Sequence, residues 1–215
     1  MATTALQIIN DVRILLKDVS ATAWDDPTLL AWINAGQREI SSLRPDAYTK
    51  FGTVTTVAGT RQTLPTDGII LLHVPRNLVG SNPGRAIRKA SRDQLDSVNP
   101  DWHTDTASAT ARNFVYDTFT PRAFYLYPPS VAGSTVEVIY AAVPTDLASV
   151  ESSIVIDDSY RNPLMDYTLF RAYSEDMEIQ GAAARAAAHR QLFDTFLGNK
   201  AKADMSSAAA QVAGS

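Results

Sequence analysis

The chain has 215 residues, of which 45% are hydrophobic and 20% are charged, a composition typical of a globular protein with one domain or one domain and an insertion. Its formal net charge of -4 gives no general attraction to nucleic acid, so direct reading of a DNA sequence is not expected. The sequence contains no cysteine, which excludes disulfides, thiol nucleophiles and zinc held by cysteine.

The first part of the chain predicts two helices. Asp25 supplies an N-cap and Pro27 a first-turn proline for the second of them, which stops at Pro45. The first helix follows Thr3 or Thr4 as its cap and ends near Lys17. Its apolar residues at helical spacing are Leu6, Ile9, Val12 and Leu16. The apolar face of the second helix is predicted to contain Leu29, Leu30, Ile33, Ile40 and Leu43.

The middle of the chain has the period of β-strands. Residues 53–57 and 61–64 are rich in β-branched side chains around Gly59, which predicts a β-hairpin. Ser91 is expected to cap a single helical turn, after a loop at residues 80–84. Further strands are predicted at residues 69–74, 86–89, 113–116, 123–127 and 135–140. Alternation in the last two strands places Phe124 with Leu126, and Val136 with Val138, on one face of a sheet.

The helical period returns at Ser159 and predicts two further helices with a break at Gly181. The buried stripe of the first is expected to be Leu164, Tyr167, Leu169 or Phe170, and Tyr173. The second carries Leu192, Phe193, Phe196 and Leu197 and is predicted to end at Gly198 and Asn199. Residues 201–215 have too little apolar bulk to offset the entropy of ordering them, so we expect a tail that is mobile until it docks.

Together these elements predict an α+β fold. The helices at both ends of the chain have apolar stripes that must be buried, and each can cover the other. This favours a helical bundle formed by the N- and C-terminal helices with an inserted antiparallel β-sheet subdomain. The expected segments are residues 1–48 and 151–198 for the bundle, 49–150 for the insertion, and 199–215 for a flexible tail that docks on a partner. No run approaches the roughly 20 apolar residues that span a bilayer, so no membrane partner is expected.

The candidate metal ligands are Asp101, His103 and Asp105, which alternate and would share one face of an extended strand. The surrounding Pro-, Thr- and Ser-rich sequence instead favours a capped turn. His73 and His189 have no neighbour at ligand spacing. We therefore predict no metal site and no cofactor.

A glycoside hydrolase would need a pair of carboxylates, and Glu39, Glu137 and Glu151 are the glutamates nearest to apolar sequence. Paired acids are common on protein surfaces, however, and the sequence has no Gly-x-Ser-x-Gly elbow or phosphate-binding glycine loop. No catalytic residue is predicted.

Six segments, in their order and spacing, resemble a known family. They are Trp24–Asp26 followed by Leu29–Asn34 and Gln37–Ile40, then Leu43–Ala47, Asn99–His103, Pro121–Pro129, Tyr140–Pro144 and Leu169–Ser174. From the second helix to Lys202 the chain resembles the phage adaptor, or head-to-tail connector, proteins that sit under the portal.

The resemblance implies a structural virion protein at the head-tail interface, assembled in the host cytoplasm as a homo-oligomeric ring that is dodecameric to match the portal. The C-terminal region would contact the portal protein, and the opposite face would receive a tail or nozzle protein. Genomic DNA would only pass through the lumen. The residues expected to bind the portal are Phe193, Phe196, Leu197, Lys200, Lys202, Met205 and Val212.

Two alternatives remain at this stage. The chain could be a tail-tube or nozzle structural protein, or a tail-associated cell-wall hydrolase. For Phe193 and Phe196 themselves, a core position predicts a large loss of stability on truncation to alanine. A position at the portal joint instead predicts a stable monomer that fails to assemble.

A run of basic residues is free of acids between Asp67 and Asp93: Arg76, Arg85, Arg88, Lys89 and Arg92. One interpretation is an interprotomer or tail-facing contact, since arginine binds carboxylates well. The other is a sheet edge protected by charge against unwanted pairing. Contact with DNA in the lumen is less favoured, because strong phosphate binding would oppose passage.

Aromatic residues from Phe124 to Tyr127 could stack single-stranded nucleic acid, but Arg122 is the one basic residue beside them. Sheet core on one face and a protein interface on the other is the favoured interpretation.

Overall fold

The computed structural model describes residues 2–176 and 180–213, without the side chains of Met205 and residues 207–213. The chain forms two compact units. Met1–Tyr48 and Pro144–Ser215 make up the first, here called the helical unit, and Thr49–Val143 make up the second, the β unit. The described residues contain five α-helices and two four-stranded sheets, so the fold is α+β. The helices are α1 (Ala5–Leu16), α2 (Asp26–Leu43), α3 (Arg92–Val98), α4 (Arg161–Glu175) and α5 (Ala182–Ala213).

The N-terminal helices begin where their caps predict. The Thr4 hydroxyl accepts a hydrogen bond from the Gln7 backbone N–H at 3.3 Å, and the Gln7 side chain accepts one from the Thr4 N–H at 3.0 Å, a reciprocal capping box. The Asp25 carboxylate caps α2 by accepting from the Thr28 N–H at 2.9 Å. Leu43 departs from the prediction because its side chain is exposed in the last turn of α2.

One hydrophobic core lies among α1, α2, α4 and α5 of the helical unit. Its fully buried side chains include Ile8, Ile9, Leu29, Ile33, Leu164 and Phe193. Close packing of α2 on α4 requires Gly36, since a Cβ there would lie 2.9 Å from Cδ1 of Tyr167. The buried amides of Asn34 and Gln37 attach the returning chain to α2, because they hold the main chain of Leu147 and Val155.

The last two helices confirm the predicted stripe and correct the predicted end. Leu164, Tyr167, Leu169 and Tyr173 are buried, and Gly181 adopts φ +83° immediately before α5. The expected end at Gly198 is wrong, because α5 continues to Ala213. Alanine has the highest intrinsic helix propensity, so an alanine-rich segment forms helix even without a core face of its own. The mobility of this segment before docking stays a prediction.

The β unit contains two sheets. Their strands are β1 (Thr49–Thr55), β2 (Gly59–Thr63), β3 (Gly68–Val79), β4 (Asn82–Ala86), β5 (Arg88–Lys89), β6 (Asn113–Tyr116), β7 (Ala123–Ser130) and β8 (Thr135–Ala142). One sheet has the order β1-β8-β3-β4 and the other the order β2-β7-β6-β5. Neighbouring strands in the two sheets are antiparallel, apart from β5 and β6, which run parallel.

The predicted hairpin around Gly59 is wrong. β1 pairs with β8 and β2 pairs with β7, so the two strands belong to different sheets. Gly59 is the first residue of β2, where the chain enters the second sheet, and it adopts φ +100°. A hairpin does form later, where the predicted loop at residues 80–84 contains the turn at Gly80 and the start of β4. The alternation in β7 and β8 is confirmed by the burial of Phe124, Leu126, Val136 and Val138.

Candidate functional site

The residues expected to bind a portal on α5 fall into two groups. Phe193 and Leu197 are buried in the core of the helical unit, and the Phe193 ring packs 5.5 Å from the ring of Tyr167. Phe196 is half-buried beside Tyr160, with ring centroids 6.3 Å apart.

The other group extends past the core. The Lys200 ammonium lies 5.4 Å from the Tyr160 ring centroid, and Lys202 is exposed. The predictions for Met205 and Val212 fall on side chains outside the described residues, although the backbone of both is helical.

Arg44 attaches the second half of α5 to the rest of the helical unit. Its guanidinium, mostly buried, forms hydrogen bonds with the carboxylates of Asp46 and Asp204, and its Nη1 donates to the Leu197 carbonyl at 3.4 Å. The Arg44 hydrogen bond lowers the pKa of the Asp46 carboxyl, and burial raises the pKa of the neighbouring Tyr160 to about 12. At neutral pH the Asp46 carboxyl is therefore ionised and the Tyr160 hydroxyl is neutral.

The basic residues between Asp67 and Asp93 do not form a single surface. Arg76 on β3 pairs with Glu137 on β8 at 3.2 Å. The Arg92 guanidinium stacks over the Tyr125 ring, 4.8 Å from its centroid. Lys89 is exposed on β5.

Two of these basic residues, Arg85 and Arg88, instead meet a third arginine that sequence reasoning missed. They line a concavity of about 460 Å³ together with Arg112, and Ala86 and Asn113 complete its wall. We call this concavity the arginine cleft.

The parallel pairing of β5 with β6 creates the arginine cleft. Arg88 lies opposite Asn113 in the register, and the Arg88 N–H donates to the Arg112 carbonyl at 3.0 Å. The Arg112 N–H in turn donates to the Tyr127 carbonyl at 2.7 Å. Arginines 24 positions apart in sequence are thus neighbours because their main chains share a ladder.

A single buried amide holds both sides of the arginine cleft. Asn77 Nδ2 donates to the Arg85 carbonyl at 2.9 Å and to the Ala111 carbonyl at 2.8 Å, while its Oδ1 accepts from the Ala111 N–H at 2.8 Å. The side chain is 4% exposed, so these bonds are shielded from water. Asn77 therefore positions the chain that carries Arg85 and the residue preceding Arg112.

The arginine cleft is electrically unbalanced. Its three arginines are exposed, and none forms an ion pair within the part of the chain that the structure describes. No acidic residue is among the five that line it. Planar guanidinium groups bind carboxylates and phosphates through two parallel hydrogen bonds, so the cleft is suited to an anionic ligand. In the sequence, the signal for Arg112 is a second acid-free run between Asp105 and Asp117.

The candidate metal ligands do not converge. The His103 ring stacks on the buried indole of Trp102 at 3.7 Å, and its Nδ1 lies 2.9 Å from the Thr60 hydroxyl. Asp105 accepts hydrogen bonds from Asn99 and from the Tyr127 hydroxyl. Over residues 2–176 and 180–213, no group of three His, Cys, Asp or Glu side chains is arranged to hold a metal ion.

The glutamates considered for hydrolysis have other partners or positions. Glu39 accepts from Arg190 at 2.6 Å, and Glu137 is paired with Arg76. Glu151 is exposed in a turn. His189 pairs with Asp166 at 2.9 Å, and His73 packs edge-on against Phe114. None of these contacts places two free carboxylates together.

A known protein family covers almost the whole chain. The model of the SU10 adaptor protein family matches residues 3–213. No curated protein matches the chain. The match includes both units and the whole described length of α5. Every helix in the described part of the chain is too short or too polar to cross a lipid bilayer.

Proposed function

Because the chain belongs to the SU10 adaptor protein family, and is thus a structural adaptor of a phage virion, we propose that it joins the portal to the tail. In this proposal its copies form a ring, dodecameric to match the portal, with a tail or nozzle protein on the opposite face and DNA passing through the lumen. The family match over residues 3–213 carries the proposal.

The geometry of α5 supports the portal contact. Leu197 is the last residue of α5 described as buried, yet the helix continues to Ala213, about 24 Å further at 1.5 Å per residue. Lys202, Ala203 and Ser206 on this stretch are exposed. A helix that leaves the core of its own chain has faces available to a partner, and we propose that the portal covers them.

Where the structure describes the side chains of the predicted residues, their burial divides the proposed roles. Phe193 and Leu197 hold α5 in the core and thereby set the direction of the part of α5 that follows Leu197. Lys200, Lys202, Met205 and Val212 are proposed to lie in the joint itself, with Phe196 at its boundary. Arg44, through Asp204, fixes where the exposed stretch leaves the helical unit.

Docking is proposed to order this stretch further. A helix without a core face is marginal in water, so its terminal turns open locally at low cost. We expect residues past 200 to be cleaved by protease in the free chain and protected in the virion. Equal cleavage in both states would contradict docking.

The portal contact is tested by sedimentation of the full-length chain with purified portal rings, beside a truncation after Gly198. The proposal expects the full-length chain to co-sediment and the truncation to stay free. The matched control is Gln191→Ala, an exposed position of α5 outside the proposed joint, which keeps the whole helix and should co-sediment like the wild type. If the truncation co-sediments as well as the full-length chain, the proposed docking falls.

Cross-linking distinguishes the adaptor from a tail-tube or nozzle protein. Lysine-reactive reagents applied to virions should connect Lys200 or Lys202 to the portal protein. Cross-links from these lysines to tail proteins alone would place the chain further from the capsid. Hydrolysis is not proposed, because Glu39 and Glu137 are each occupied by an arginine.

A further inference from the structure

Charge is divided unequally between the two units. The β unit contains nine Lys and Arg against seven Asp and Glu, a net charge of +2. The helical unit contains 10 Lys and Arg against 16 Asp and Glu, a net charge of -6. Each copy therefore carries a basic unit and an acidic unit, so the β unit of one copy can attract the helical unit of another.

Three cations line the arginine cleft, and none of them has an ion-pair partner among the described residues. Its size, about 460 Å³, admits one or two carboxylate side chains but not a folded element. The bonds from Asn77 hold the main chain on either side in place before any ligand arrives, which lowers the cost of ordering on binding.

An acidic pair suited to the arginine cleft lies at the start of α4. Asp157 and Asp158 are adjacent and exposed. The Ser159 N–H donates to Oδ1 of Asp157, and the Thr3 N–H donates to Oδ1 of Asp158. Side-chain and main-chain hydrogen bonds from Ser159 lower the pKa of the Asp157 carboxyl, and those from Thr3 lower the pKa of the Asp158 carboxyl, so both groups are ionised at neutral pH.

Other neighbouring acids in the helical unit are already engaged. In the pair Asp25–Asp26, the second carboxylate binds Arg13 at 2.6 Å. In the pair Glu175–Asp176, the first binds Arg171 at 3.2 Å. Neither Asp157 nor Asp158 has an ion-pair partner among the residues that the structure describes.

We propose that the arginine cleft of one copy binds the Asp157–Asp158 pair of a second copy. This inference rests on the proposed oligomeric ring and names the contact that closes it. Two different surfaces meet, so the interface is heterologous, and such an interface generates a ring when the rotation between neighbouring copies closes. Nucleic acid phosphate is the weaker candidate, because every copy already carries an acidic pair that complements the cleft and the chain is acidic as a whole.

Charge reversal on each side tests this contact. The first variant carries Arg88→Glu and Arg112→Glu, and the second carries Asp157→Lys and Asp158→Lys. Each is measured by mass photometry with portal rings, after circular dichroism has shown that it is folded. Like charges meet at every interface of either variant alone, so assembly is expected to weaken on the order of 100-fold.

The decisive sample is the equimolar mixture of the two variants. In a ring in which the two variants alternate, positions 88 and 112 of every copy face the opposite charge at positions 157 and 158 of its neighbour, either Glu against Lys or Arg against Asp, so the mixture should assemble. The matched control is Arg61→Glu with Arg122→Glu, which changes the net charge of the β unit equally away from the cleft. It should assemble like the wild type.

Two results overturn the contact. The first is a mixture of folded variants that does not assemble, and the second is a cleft variant that assembles like the wild type. If that cleft variant also fails to retain a short DNA duplex that the wild type retains, the cleft binds phosphate instead. In the second case the proposed ring stands and this contact alone fails. If the wild-type chain forms no ring on the portal, the proposed function fails with it.

Discussion

Replacing Phe193 with alanine is expected to lower the free energy of unfolding of the helical unit by about 3 to 5 kcal/mol. The side chain is completely buried on α5, in the same core as Leu164. Truncation removes a whole ring from water-free surroundings and leaves a cavity, and the two effects together give this range. Its contacts with Tyr167 and with the Arg190 guanidinium, 5.1 Å from the ring centroid, are lost as well.

Urea denaturation followed by far-ultraviolet circular dichroism measures this change, because the helices dominate the signal. Phe193→Leu is the conservative control, since it keeps an apolar side chain and leaves a smaller cavity, so it should cost clearly less than Phe193→Ala. Phe196→Ala is the positional control on the same helix, and its half-buried ring should cost clearly less than that of Phe193.

The reasoning about α5 would be refuted if Phe193→Ala unfolded at the same urea concentration as the wild type. Such a result would mean that the ring is not part of the core. It would favour the alternative in which Phe193 lies at the portal joint and acts only in assembly.

Three further predictions concern other parts of the chain. Asn77→Ala should lower the stability of the β unit by about 3 kcal/mol, because the Ala111 N–H and two carbonyls lose their buried partner, whereas Asn113→Ala should cost little. Urea unfolding followed by tryptophan fluorescence measures both changes in a Trp24→Phe, Trp32→Phe background, in which Trp102 of the β unit is the remaining tryptophan. Burial would raise the pKa of Asp18, but hydrogen bonds from the N–H groups of Trp24, Ala23 and Thr22 override it and lower the pKa to about 2. The depressed pKa stabilises the fold above the unfolded-state pKa of about 4, so the advantage over Asp18→Asn should disappear as the pH falls from about 4 towards 2; an advantage that persists at pH 2 would contradict this. Zinc or magnesium should not raise the melting temperature of the wild type relative to His103→Ala, since the three candidate ligands have separate partners, and a metal-dependent rise in the wild type alone would show that they converge.

Local signals in the sequence predicted most of the elements. Thr4 and Asp25 act as caps, and the strand at residues 113–116 has the predicted bounds, because caps and alternation depend on neighbouring residues. Strand pairing, in contrast, depends on residues that are far apart in the sequence. The β-branched residues around Gly59 are typical of a hairpin, but the partner of β1 is β8, some 80 residues later in the chain.

The end of α5 was mispredicted for a different reason. Low apolar bulk after Gly198 indicates that the segment lacks a core of its own, but it does not decide whether the segment is helical. Helix formation and core formation are separate properties, and alanine favours the first without supplying the second.

The arginine cleft was only partly visible in the sequence. Arg85 and Arg88 stood out in an acid-free run, but Arg112 joins them only through the parallel pairing of β5 with β6. Asn77 gave no signal, since a buried asparagine in a strand is recognised as structural only once its three hydrogen bonds are known.

The most direct test of the central claim is the mass of the complex between the full-length chain and its portal. Mass photometry or analytical ultracentrifugation of the chain alone, and then with purified portal rings, gives the number of copies bound. The adaptor function predicts a discrete complex with one copy of the chain per portal subunit. Absence of any complex at saturating concentration, from a chain shown to be folded, would contradict it.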